Sequence, residues 1–85
     1  MTSTVVLRPN VPGRTANANL AVQHVYAPGD GTVTVYLVVA AAIEQTITLE
    51  IGDTFPIGEE TWMLDRVDGL GTGGNWRVIL NKVDE

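Results

Sequence analysis

The sequence predicts an all-β domain, a small antiparallel meander that closes into a barrel or folds over as a sandwich of six to seven short strands. Three observations point there. Apolar and polar residues alternate with the two-residue period of a half-buried strand, most cleanly over residues 45–51, where Ile47, Leu49 and Ile51 interleave with Thr46, Thr48 and Glu50. Turn chemistry recurs between such runs, at Ala27-Pro28-Gly29-Asp30-Gly31, at Gly52-Asp53 and in the glycine-rich residues 68–75. No segment has a convincing helical period; the alanines at 40–42 favour a helix by propensity, but β-branched runs on both sides make them a strand-to-strand turn. Closing the meander on itself removes the exposed edges that an open sheet would leave.

Residues 4–7 are β-branched and apolar and form a first strand, stopped by Arg8-Pro9 because proline cannot donate to a ladder. Residues 10–17 contain Pro12, Gly13 and Arg14 with little apolar content, which is loop composition and a candidate mobile segment. Over residues 18–26 the even positions Ala18, Leu20, Val22, His24 and Tyr26 share one face of a strand. Pro28 then presets the first central position of a type II turn and Gly29 supplies the positive φ required at the second. The second arm of this hairpin, residues 32–42, is apolar on both faces, with Val33, Val35, Leu37 and Val39 in one row and Tyr36, Val38 and Ala40 in the other. Such a strand is covered on both sides or offers one face to a partner, and the shorter row, Tyr36, Val38 and Ala40, is the one expected outside.

The organising stretch is residues 46–67. Gly52-Asp53 combines backbone freedom with a short side chain that caps its own turn, and Phe55 and Ile57 plug a short extended piece punctuated by Pro56 and Gly58. Beyond Thr61, Trp62 and Leu64 lie on one face, yet the next apolar residue is Val67, with Arg66 where the alternation calls for an apolar one. A one-residue bulge near Asp65 and Arg66 restores Val67 to that face. Residues 69–75 form a flexible hairpin loop, and residues 76–83 close the chain with Trp76, Val78 and Leu80 inward. The expected core is therefore Trp62, Leu64, Val67, Val78 and Leu80 against Ile47, Leu49 and Ile51.

An 85-residue chain makes a single small domain, residues 1–85, with loose ends at 1–3 and 84–85, and buries about 60% of the surface its unfolded form exposes. Without cysteine it has neither disulfides nor a thiolate metal site, so apolar packing must hold it. The start of the chain lacks the basic and apolar regions of a signal peptide, and no apolar run approaches membrane-spanning length; a soluble, cytoplasmic protein is expected. Ten acidic residues against five basic ones give a net charge of −5, and Arg8, Arg14, Arg66, Arg77 and Lys82 are scattered. Neither nucleic acid nor an anionic membrane is an expected partner. Arg77 and Lys82 could join Arg66 on one edge, but three cations read as a solvated face.

Catalytic chemistry is not indicated. His24 is the only histidine, so no histidine pair can hold zinc, and Ser3 is too close to a loose terminus for a Ser-His-acid site. A lone strand histidine is commonly part-buried and satisfied by backbone. The glycine-rich loop precedes a strand, not a helix, and has no lysine at phosphate-cradle spacing. Asp65 with Asp68, and Glu59 with Glu60, lack the geometry of an acid-base pair, and no carboxylate set has calcium-loop spacing. No catalytic residue, metal ligand or cofactor is expected. Trp62 and Trp76 supply large apolar area of the kind used at binding centres, although inward positions on two paired strands make them core. With His24 and Tyr26 they are the candidates for lining a pocket.

The GDTFPIG turn, the TWMLDRV run after it and the tryptophan-led final strand, within residues 47–83, resemble an uncharacterised family of small actinobacterial proteins, a domain of unknown function. The resemblance covers the C-terminal half; it implies a compact β fold in a bacterial, cytoplasmic setting and brings no activity, catalytic residue or cofactor. Two functional classes follow. One is a non-catalytic interaction module or small assembly subunit, a homodimer or the partner of another protein, using Tyr36, Val38 and Ala40. The other is a small-molecule-binding or lyase-like small β-barrel whose cavity is completed by dimerisation and lined by groups such as Tyr26, Tyr36 or His24.

Overall fold

The computed structural model describes residues 3–9, 11–15, 17–29, 31–70 and 75–83. Within them the alternating runs become eight strands and no helix: β1 (Thr4–Leu7), β2 (Gly13–Arg14), β3 (Asn19–Tyr26), β4 (Thr34–Ala40), β5 (Glu44–Glu50), β6 (Thr54–Ile57), β7 (Glu60–Asp68) and β8 (Arg77–Val83). All pairings are antiparallel. The strands form two four-stranded sheets, in the orders β1-β8-β7-β6 and β2-β3-β4-β5. Read round the molecule they follow chain order from β1 to β8 and back, so the fold is a cyclic meander flattened into two sheets instead of one closed barrel. With no helix present, no helix among the described residues is long and apolar enough to cross a membrane.

The sheets bury their facing rows in one cluster. Leu7, Leu64, Val78, Leu80, Trp62, Phe55 and Ile57 come from the first sheet, and Leu20, Val35, Leu37, Val39 and Leu49 from the second, all at or below 8% exposure. Ile47 and Val67 are partly buried against this cluster. The inward row of β4 is thus Val35, Leu37 and Val39, continued by Val33 just ahead of the strand, as the longer apolar row requires, and Tyr36, Val38 and Ala40 face the other way. Pro56 sits in β6, an edge strand, where a missing backbone donor costs nothing.

The Gly52-Asp53 turn carries the chain from one sheet to the other. Gly52 has φ 92°, a left-handed value that favours glycine. The Asp53 carboxylate accepts the Glu50 backbone N–H at 2.9 Å, and the Asp53 backbone N–H donates to the Glu50 carbonyl at 2.9 Å. Gly52 then donates to the Leu64 carbonyl at 2.8 Å while Leu64 donates to the Asp53 carbonyl at 2.9 Å, which ties the turn to β7. In β7 the register slips between Leu64 and Arg66, leaving Asp65 as the extra residue. This bulge returns Val67 to the core side with Trp62 and Leu64.

Three expectations need correction. Ile51 lies beyond the end of β5, in the turn, and is 46% exposed, because the hydrogen bonds around Asp53 bend the chain before Ile51 can reach the core. His24 and Tyr26 do not share the inner face with Leu20 and Val22. A second bulge, at Gln23 between the Val22 and His24 pairings, reverses the alternation, so Val25 packs on the core and Tyr26 is 53% exposed. The segment expected to be loop throughout, residues 10–17, contains β2, whose Gly13 and Arg14 pair with Leu20 and Asn19; Asn10 and Ala16 lie outside the described residues. Ile79 is only 6% exposed although it points away from the inter-sheet cluster, on a central strand between Val6 and Arg66. Of the glycine-rich loop, residues 71–74 lie outside the described residues, as do the ends at 1–2 and 84–85.

Candidate functional site

Register fixes what the outer face of the β2-β3-β4-β5 sheet presents. Across β3, β4 and β5 the rows read Asn19, Ala40, Glu44; then Ala21, Val38, Thr46; then His24, Tyr36, Thr48; then Tyr26, Thr34, Glu50. Its middle is apolar and aromatic, and its rim carries two carboxylates. Tyr36, Val38 and Ala40 are half-buried by their neighbours alone, whereas His24 and Tyr26 are exposed. His24 lies over Tyr36 with ring centroids 5.8 Å apart and planes at 27°, a stacked pair across β3 and β4. The bulge at Gln23 creates this pair, because it turns His24 outward to the face that Tyr36 already occupies. The histidine expected to be satisfied by backbone is therefore a surface residue held by a ring.

The four residues considered as pocket lining do not meet. His24 and Tyr26 belong to this outer face, Trp62 is 3% exposed in the inter-sheet core, and Trp76 packs partly buried against that core just ahead of β8. Trp62 and Trp76 stand at opposite ends of the β7-β8 pair, since Trp62 lies across from Lys82, near the far end of β8. The Trp62 indole N–H donates to the Glu60 carboxylate at 3.3 Å, and Lys82 Nζ reaches the same carboxylate at 3.1 Å. The bonds from Lys82 and then Trp62 hold the Glu60 carboxyl below the usual glutamate range, with partial burial opposing them.

Two further carboxylates singled out in the sequence, Asp65 and Asp68, are occupied structurally. Arg66 Nη1 meets Asp65 at 2.6 Å and Arg66 Nε meets Asp68 at 3.1 Å. The hydrogen bonds that Arg66 donates to Asp68 and Asp65 raise its pKa, so its charge is permanent. Asp65 and Asp68 thus form a clamp on one guanidinium, not an acid-base pair. Lys82 does not join Arg66 on one edge, because it sits with Glu60 on the core side of β8. Arg77, by contrast, lies directly across from Asp68. Among the described residues no three His, Cys, Asp or Glu side chains converge as a metal site would require.

Sequence reasoning missed Ala21, Thr46 and Thr48 as neighbours of Tyr36 and Val38, since only the register of three strands brings them together. No curated protein and no solved structure matches the chain. Residues 2–84 match a family of unknown function (DUF6406), which covers nearly the whole chain and not its C-terminal half alone. This protein therefore belongs to that family.

Proposed function

We propose that the protein is a non-catalytic interaction module that associates with a second copy of itself through the outer face of β3, β4 and β5. The observation that supports this reading is the half-covered row Tyr36, Val38 and Ala40 on a central strand, where an ordinary outer face would be polar. Around it Ala21 and the stacked His24 extend the apolar area, while Glu44 and Glu50 stay at the rim. An isologous contact across a two-fold axis is the commonest way to cover such a surface. Seven-residue strands about 4.8 Å apart give a face of roughly 24 by 14 Å, smaller than a stable interface requires, so the association is weak and reversible. The absence of cysteine suits a reducing compartment, and we place the interaction in the cytoplasm.

Sedimentation velocity over a concentration series tests the proposal. The unmutated chain should move from monomer to dimer at tens of micromolar, and Val38→Glu should give a folded monomer by placing an unpaired charge in the contact. A monomer at every concentration sinks self-association. Equal dimerisation of the Val38→Glu variant would move the contact to another surface.

A further inference from the structure

We propose that the cleft between Arg8 and Arg77, beside Trp76, binds a small aromatic acid, a carboxylate or phosphate carried on a flat ring. The cleft is open to solvent, holds about 340 Å³ and is lined by Arg8, Pro9, Val11, Asn75, Trp76 and Arg77. A pocket of this size accepts one ring with its acid group.

The charges argue for an anion. β1 and β8 pair as Val5 with Leu80, Val6 with Ile79 and Leu7 with Val78, and Arg8 and Arg77 lie just past that last pair, where both line the cleft. Like charges lining one small cleft are destabilising unless something lies between them. Acidic residues outnumber basic ones two to one in this chain, yet among the described residues neither Arg8 nor Arg77 makes an ion pair. Asp68 stands opposite Arg77 on the other side, but its Oδ2 is bound by Arg66 at 3.1 Å. Two guanidinium forks can take the oxygens of one carboxylate or phosphate in paired hydrogen bonds.

The walls argue for a ring. Trp76 is partly buried against the core, so its indole is positioned, and Pro9 and Val11 add apolar surface beside it. Val11 donates its backbone N–H to the Arg8 carbonyl at 3.1 Å, closing a turn that holds both residues at the cleft. Two cations under a net charge of −5 do not make a track for a nucleic-acid strand. This site is on the opposite sheet from the self-association face and does not depend on it.

The test is a nitrogen-15 NMR titration of the full chain with phenyl phosphate, inorganic phosphate and phenol as separate probes. Phenyl phosphate should shift the Trp76 indole N–H and the Val11 and Arg77 amides saturably. Arg8→Gln and Arg77→Gln should each weaken it about tenfold, the loss of one charge-assisted contact. Inorganic phosphate should bind the same residues more weakly, phenol should not bind, and Val38→Glu should leave the titration unchanged. Absence of saturable shifts at these residues overturns the site, as does an Arg8→Gln, Arg77→Gln double variant that titrates like the parent. Inorganic phosphate binding as tightly as phenyl phosphate overturns the ring seat against Trp76. Should the Arg77 variant fail to fold, Arg8→Gln decides alone, since Arg8 is exposed at the end of β1.

Discussion

Lys82 Nζ holds one oxygen of the Glu60 carboxylate at 3.1 Å while the Trp62 indole N–H holds the other at 3.3 Å, so one surface carboxylate locks a core tryptophan to the β7-β8 pair. Both bonds favour the ionised form and lower the Glu60 pKa in the folded state, Lys82 more than Trp62. A carboxyl with a folded pKa below its unfolded one adds stability that is complete above the unfolded value. That stability is lost as the pH falls from the ordinary glutamate value of 4.5 through the lowered one. Urea midpoints of the parent and Glu60→Gln should therefore differ at neutral pH and converge in acid. A difference that stays constant across that range would show that the carboxylate charge plays no part.

Leu49 is 4% exposed on β5 and packs in the inter-sheet cluster, so Leu49→Ala should cost roughly 2 to 5 kcal/mol, as truncation of a buried leucine does. Stability of so small a domain is itself only about 5 to 15 kcal/mol, which makes the loss easy to read in a denaturant midpoint. Ile51→Ala, at an exposed turn residue, should change the midpoint little. Equal losses from the two substitutions would contradict the placement of the core.

Gly13 marks a close approach between β2 and β1. A Cβ added there would stand 2.6 Å from Leu7 Cδ2 and 3.0 Å from Val5 Cγ1. Leu7 has no exposed surface and cannot move aside freely, so Gly13→Ala should cost roughly 1 to 3 kcal/mol, the range for overpacking a core. Combining it with Leu7→Ala should cost less than the sum of the single changes, because the clash is relieved. Strict additivity in thermal or urea unfolding would place Gly13 away from Leu7.

Much of the proposed interaction face was legible from the residues of β4, because two apolar rows of unequal length along one strand are a property of that strand alone. Its neighbours were not. Ala21, Thr46 and Thr48 reach Tyr36 and Val38 only through the register of β3 and β5, and His24 reaches Tyr36 only through the bulge at Gln23. Contacts between strands depend on pairing that no single run of sequence encodes.

The sequence by itself determined the all-β class, the inward rows of β4 and β7, the turn at Gly52 and Asp53, and the bulge at Asp65, because each is written in residues adjacent along the chain. Arg66 at a position that calls for an apolar residue made the Asp65 bulge visible; the Gln23 bulge left only Val25 on a face otherwise read as polar, since histidine and tyrosine tolerate either side. The tertiary structure alone decided that Ile51 is turned out, that Ile79 is buried away from the main cluster, and that Arg66 is neutralised by two aspartates while Arg8 and Arg77 come to line one cleft. Arg8 follows the first strand and Arg77 begins the last, and only the closing of β1 onto β8, driven by burial of Leu7 and Val78 between the sheets, brings both to one cleft.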